Sequence, residues 1–107
     1  MRIDPVRGHL ELLLLAILAT GSLHGYAIIQ ELRRRSSGHF ELAEGTVYPA
    51  LQRLERNGLV SSAWSEASGR KRRIYQLTKK GRRALEQERS AWAVFSQRMS
   101  AVLGEST

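Results

Sequence analysis

Near its start the chain loses all alternation between apolar and polar positions: residues 12–19 read LLLLAILA. The run predicts a helix over about residues 9–20. A helix that is apolar all round is covered all round. One layer of a small domain covers only one side, so the pattern points to a second chain for the other. Gly21 ends this helix, and residues 22–25 lead into the next. There the period changes. Tyr26, Ile29 and Leu32, with Ile28 nearby, recur at helical spacing. Arg33, Arg34 and Arg35 fill the last turn, where cations favour the negative end of the helix dipole. Ser36, Ser37 and Gly38 break the helix, and residues 39–43 form a short connection with extended character.

A third helix follows in EGTVYPALQRLERNGLV, residues 44–60. Val47, Leu51 and Leu54 face inward with Ala50 beside them, while Gln52, Arg53, Arg56 and Asn57 face away. Thr46 or Gly45 serves as the N-cap. Either choice keeps Pro49 in or just beyond the first turn, where a missing N–H costs little. Gly58 stands where a left-handed residue closes a helix.

The period then shortens to two. Residues 59–65 read as a strand, residues 66–69 as a turn pivoting on Gly69, and residues 72–77 as the returning strand. Trp64, on the first strand, is assigned to core or edge packing. Thr78 caps a final helix over about residues 79–103. Leu85, Trp92 and Met99 repeat every seven residues in it, and Phe95 and Val102 fall three later, with Glu88 breaking the series once. This is an a/d stripe suited to pairing with another helix.

Composition narrows the classes. The 107 residues suit one small domain with one appended element, divided as residues 1–78 and 79–107. The absence of cysteine excludes zinc fingers, thiol chemistry and disulfide scaffolds, and is consistent with the cytoplasm. The longest apolar run is far short of the ~20 residues a bilayer requires. No signal peptide fits, since Asp4 and Glu11 flank that run. No membrane partner is expected.

The net charge of +7 is localised. Arg70, Lys71, Arg72, Arg73, Lys79, Lys80, Arg82 and Arg83 lie within residues 70–83, which hold no acidic residue. Such a cluster is the footprint of a polyanion partner. His9, His24 and His39 are scattered and show no metal spacing, and no glycine-rich phosphate loop is present. Neither catalysis nor a cofactor is expected.

Three helices followed by a two-stranded hairpin form the winged helix-turn-helix arrangement. The expected fold class is mainly α with a small β-hairpin, extended by a long C-terminal dimerisation helix. A major groove admits one helix, whose N-terminal residues reach base edges first. Thr46 and Tyr48 offer hydroxyls there, and backbone N–H groups at that end can hold a phosphate. Pro49 fixes the turn. Gln52 suits adenine, and Arg53 and Arg56 suit guanine. Arg70, Lys71, Arg72 and Arg73 lie along the adjoining backbone or minor groove. Each piece also has a plain reading as a capped start or a solvated face; the conjunction carries the signal.

HGYAIIQELRRRSSGHFELAEGTVYPALQRLERNGLV, followed by RKRRIYQLTKKGRRAL, resembles the PadR family of bacterial transcriptional regulators. The resemblance covers about residues 8–104. It implies a winged-helix dimer that binds double-stranded DNA and usually represses transcription, here in a short form with one C-terminal helix. Carried over by position, it places Thr46, Tyr48 and Pro49 at the DNA-contacting helix start. Tyr26 falls where a phosphate is supported or touched, and Arg70 to Arg73 fall on the wing. Arg70, Lys71 and Arg72 depart from the family pattern, which tends to have prolines before the final strand.

The first and last helices then explain each other. Leu13 and Ile17 on one, and Leu85, Trp92, Phe95, Met99 and Val102 on the other, are expected to join two copies. The two reading helices would face successive major grooves about 34 Å apart and match an inverted repeat. Trp92 reads either as a packing residue or as a stacking surface for a small aromatic ligand, with Phe95 and Met99 lining the same space. The rival reading is a winged-helix module that binds protein without specific DNA readout.

Overall fold

The leucine-rich run forms the centre of the fold. The computed structural model describes residues 5–67 and 69–105. A single turn, α1 (Pro5–Gly8), leads into α2 (Leu10–Leu18), which buries Leu10, Leu14, Leu15, Ile17 and Leu18. Leu12, Leu13 and Ala16 are only partly covered. The chain thus closes over one side of α2 and leaves a strip of the other open.

Helix α3 (Gly25–Arg35) lays Ile28 and Leu32 against this centre. Its cap position is held by His24, whose Nδ1 lies 3.2 Å from the Ala27 N–H. Helix α4 (Glu44–Arg56) adds Val47, Ala50, Leu51 and Leu54, the face its periodicity marks as apolar. Residues 39–43 form no strand, but Phe40 and Leu42 pack on the core. The start of α4 differs from expectation. The N-cap is Ala43, in extended conformation and without a side-chain cap, so neither Gly45 nor Thr46 plays that part. Glu44 provides the carboxylate at the positive end of the helix dipole. Pro49 therefore stands inside the helix, in its second turn, where it leaves the Gly45 carbonyl without its i+4 donor.

Gly58, at φ 76°, closes α4 in the left-handed region. The hairpin follows as β2 (Val60–Ala67) and β3 (Arg70–Leu77), longer at its tip than the pattern predicts. A third strand, β1 (Leu23–His24), pairs with the other side of β3 and gives the order β1-β3-β2. Two residues between helices carry no alternation to announce a strand; the free edge of β3 recruits them. Val60, Tyr75 and Leu77 bring the sheet into the same core.

Thr78 caps α5 (Lys79–Leu103), accepting from Gly81 N–H at 3.0 Å, as its position predicts. Its hydroxyl also donates to the Gly58 carbonyl at 2.7 Å, and Lys80 reaches the Asn57 carbonyl. A Cβ on Gly81 would overlap the Leu59 carbonyl, so glycine is what lets α5 seat against the end of α4. Leu85 is the last buried residue of α5. A helix of this length spans ~37 Å, and much of it runs on beyond the core.

Candidate nucleic-acid interface

Side chains on α4 follow one another by 100°, and the buried set fixes which way the rest point. Directly opposite Val47, Ala50, Leu51 and Leu54 lie Gly45, Pro49, Gln52 and Arg56, all exposed. This stripe is the part of α4 a groove would meet. Two flanks border it. Thr46 and Arg53 lean toward α2, where Arg53 Nε comes within 3.7 Å of a Glu11 carboxylate oxygen. Tyr48 and Glu55 lean toward the hairpin. The Tyr48 ring covers Gly25: a Cβ there would fall 2.7 Å from the phenol oxygen, so this glycine permits the packing of α3 on α4. Tyr26, next along α3, is exposed. Glu44 already answers the positive end of the α4 dipole, which opposes phosphate capture by the N–H groups there.

The hairpin register decides what the wing presents. Directly paired residues share a face. Val60 with Leu77 and Ser62 with Tyr75 face the core; Trp64 with Arg73 and Glu66 with Lys71 continue that face beyond it. Trp64 is consequently 62% exposed and not a packing residue. Alternation places it on the inner face, but the sheet outruns the core by then. The Arg73 guanidinium lies 5.4 Å from the Trp64 ring centre. Its Nε donates to Ser62 Oγ at 2.8 Å, and Nη2 is 3.8 Å from Glu55. Ser62 in turn donates to Glu55 at 2.7 Å. Arg73 thus ties the wing to α4.

Arg72 points to the other face. Its Nη1 sits 2.8 Å from His24 Nε2. Burial, and then the Arg72 charge, hold the His24 pKa below its ordinary value. Arg70 and Lys71 are exposed at the tip, with no ion-pair partner among the described residues. A concave corner of about 470 Å3 lies between α3, α4 and the wing, bordered by Tyr26, Tyr48, Trp64 and these cations. His24, Glu55, Ser62 and Trp64 are members of the site that residue pattern alone does not reveal. Periodicity marks a face, whereas these four meet across elements.

A second surface lies on α5. Phe95 and Val102 are 51% and 86% exposed, and Trp92 and Met99 are open as well. The Trp92 ring meets His9 edge-on, centres 4.8 Å apart, and lies 6.0 Å from Phe95. Between α2 and α5 runs an apolar groove of about 710 Å3, bordered by Leu12, Leu13, Ala16, Phe40 and Trp92. Leu13 thus stays on this surface. Ile17 and Leu85, at 2% and 3% exposure, lie in the chain's own core and are covered without any partner. No group of metal-ligating residues occurs among the described residues, and no described helix is long and apolar enough to cross a membrane.

An exposed stripe on α4, a basic hairpin tied to it and a long appended helix define a winged helix-turn-helix regulator of transcription. The chain belongs to the PadR-like family of transcriptional regulators, whose family model matches residues 14–87. A transcriptional regulator of Mycobacterium tuberculosis is 39% identical over 85 residues, spanning 79% of this chain and 77% of that one. An uncharacterised protein of Lysinibacillus sphaericus is 33% identical over 94 residues, 87% of this chain and 86% of its own. A PadR family regulator from Clostridium difficile superposes with a TM-score of 0.79 at 34% identity, over 90% of this chain and 99% of that one. A transcriptional regulator from Clostridium thermocellum gives 0.86 at 27% identity, over 92% and 97%. The chain is accordingly a DNA-binding regulator, not an enzyme.

Proposed function

We propose that two copies of this chain pair through α5 and α2 and repress transcription in the cytoplasm from an inverted-repeat operator. The observation that carries this reading is the open stripe of Trp92, Phe95, Met99 and Val102 on a helix that outruns its own core. Apolar surface of this kind marks an interaction site, and the partly covered Leu12, Leu13 and Ala16 offer a matching strip. Residues 1–78 then serve as the DNA-binding unit and residues 79–107 as the dimerisation helix, with Leu85 anchoring one to the other. On DNA, Gln52 and Arg56 read base edges and Pro49 packs against the groove. Arg53 works from the flank beside Thr46, while Tyr26 and Tyr48 support the backbone. Arg70, Lys71, Arg72 and Arg73 follow the phosphates.

A flat aromatic effector stacking on Trp92 fits the groove, whose walls are almost wholly apolar. It releases DNA only by favouring one spacing of the two reading helices.

The test replaces exposed residues, so that folding survives. Phe95→Asp with Val102→Asp should give a folded monomer by light scattering and circular dichroism. Its affinity for an inverted repeat should fall at least about tenfold, to that for a single half-site, because the second site no longer binds intramolecularly. A variant that stays dimeric refutes the α5 interface. A wild-type protein that ignores duplex DNA at low salt returns the rival reading, a protein-binding winged helix.

A further inference from the structure

His24 stands between two donors. Its Nδ1 lies 3.2 Å from the Ala27 N–H at the cap of α3, and its Nε2 lies 2.8 Å from Arg72 Nη1. Guanidinium only donates, and a neutral imidazole has one acceptor nitrogen, the other carrying the ring proton. The ring therefore serves the helix cap or the wing arginine, not both. Protonated, it serves neither. The contact to Arg72 is shorter and charge-assisted, so it takes the acceptor when nothing else is bound.

We infer that His24 is a positioning residue for the wing, holding Arg72 against the start of α3 until a DNA phosphate replaces it. The inference rests on the reading of Arg72 as a phosphate contact. A phosphate carries full negative charge and gives Arg72 the better partner. The ring then loses its Nδ1 proton to water, gains one at Nε2 and caps α3. The charged and titratable groups around the corner are the wing cations Arg70 to Arg73 and the phenols of Tyr26, Tyr48 and Tyr75. The Glu55 carboxylate reaches Arg73 Nη2 at 3.8 Å on the opposite face of the wing from Arg72, so the acid response of the Arg72 contact runs through His24. Protonation of the ring ends its hold on Arg72 and adds a cation beside the phosphate.

The experiment measures affinity for a mixed-sequence duplex by fluorescence anisotropy, using the full-length protein. His24→Asn keeps an acceptor at the cap and removes the one facing Arg72. At about pH 8 this variant should bind about fivefold more tightly than the wild type, the worth of one net hydrogen bond. The gap should close only as pH falls well below the ordinary imidazole range, because burial and the Arg72 charge hold the His24 ring neutral longer than a free one. In an Arg72→Gln background the same change should do nothing. Unchanged or weaker binding by His24→Asn, or a gain that survives Arg72→Gln, overturns the inference while leaving the wing in place. If Arg72→Gln alone does not weaken binding, the reading of the wing fails first. A measurement on the unmutated protein stands apart from any folding defect. Imidazole nitrogen shifts should place the His24 proton on Nδ1 in the free protein and on Nε2 with excess duplex. The same tautomer in both states rejects the exchange.

Discussion

Gly81 shows how much one missing Cβ can carry. It lies in the first turn of α5, receives the cap from Thr78, and presses on the Leu59 carbonyl where α4 gives way to β2. Gly81→Ala has a helix-propensity gain in its favour of ~1 kcal/mol. Against it stands an overlap with backbone that cannot rotate aside. Overpacking of this kind costs roughly 1–3 kcal/mol; the clash wins, and urea unfolding should show a lower midpoint. Glu31 offers a second test at this scale. It accepts from Arg34 and Arg35, and the two guanidinium groups hold its pKa down to about 2 from an ordinary 4.5. A carboxyl depressed by folding lends stability that is present above the unfolded value and lost as pH falls through the folded one. Between pH 4.5 and about 2 the wild type should therefore lose melting temperature. Glu31→Gln should flatten that portion of the curve while changing little at neutral pH. Solvent around the pair, with the Arg34 side chain well exposed, keeps the effect small.

Among the elements, α4 joins two demands that conflict. Its inner face needs a regular helix, yet Pro49 interrupts the ladder in the second turn, in the middle of the stripe a groove would meet. Pro49→Ala should restore the bond to Gly45 and raise stability, by up to about 3 kcal/mol if the site behaves as a helix interior. If Pro49 shapes the reading surface, operator affinity should fall in the same variant, a trade common where function keeps strain. Stability and affinity that both rise would assign the proline no part in recognition. The inner face of α4 was legible in the sequence because burial follows a local period, and the caps at Thr78 and Gly58 because each is set by a few neighbours. The all-apolar run of α2 carried no such period, so it did not reveal that Ile17 turns inward while Leu13 stays partly open, and on α3 Tyr26 stands exposed where Ile28 and Leu32 are buried. What was not legible depends on distance between elements. Ala43 stands at the cap in place of the expected Thr46 or Gly45, with an extended backbone and no side-chain acceptor, a start one residue before Glu44 that no capping residue announces. Trp64 kept its face but lost its cover, since alternation says nothing about where a core ends. The bonds joining Glu55, Ser62 and Arg73 span α4, β2 and β3, and no spacing along the chain encodes them.

For the whole molecule, charge and symmetry act together. The basic residues crowd the wing and the start of α5, so the proposed dimer would carry two such clusters on one duplex. Each neutralised phosphate contributes about 0.9 to the slope of log affinity against log salt. Protomers that engage equivalent half-sites double the number of phosphates neutralised per binding event. The slope for the wild type should therefore be close to twice that of the Phe95→Asp, Val102→Asp monomer on the same inverted repeat. On a single half-site the two proteins should give similar slopes, because only one wing and one α4 reach the DNA. A wild type with the monomer's slope on the full site would mean that only one protomer touches DNA, and the α5 pairing would then serve some purpose other than placing two reading helices along one face of the duplex.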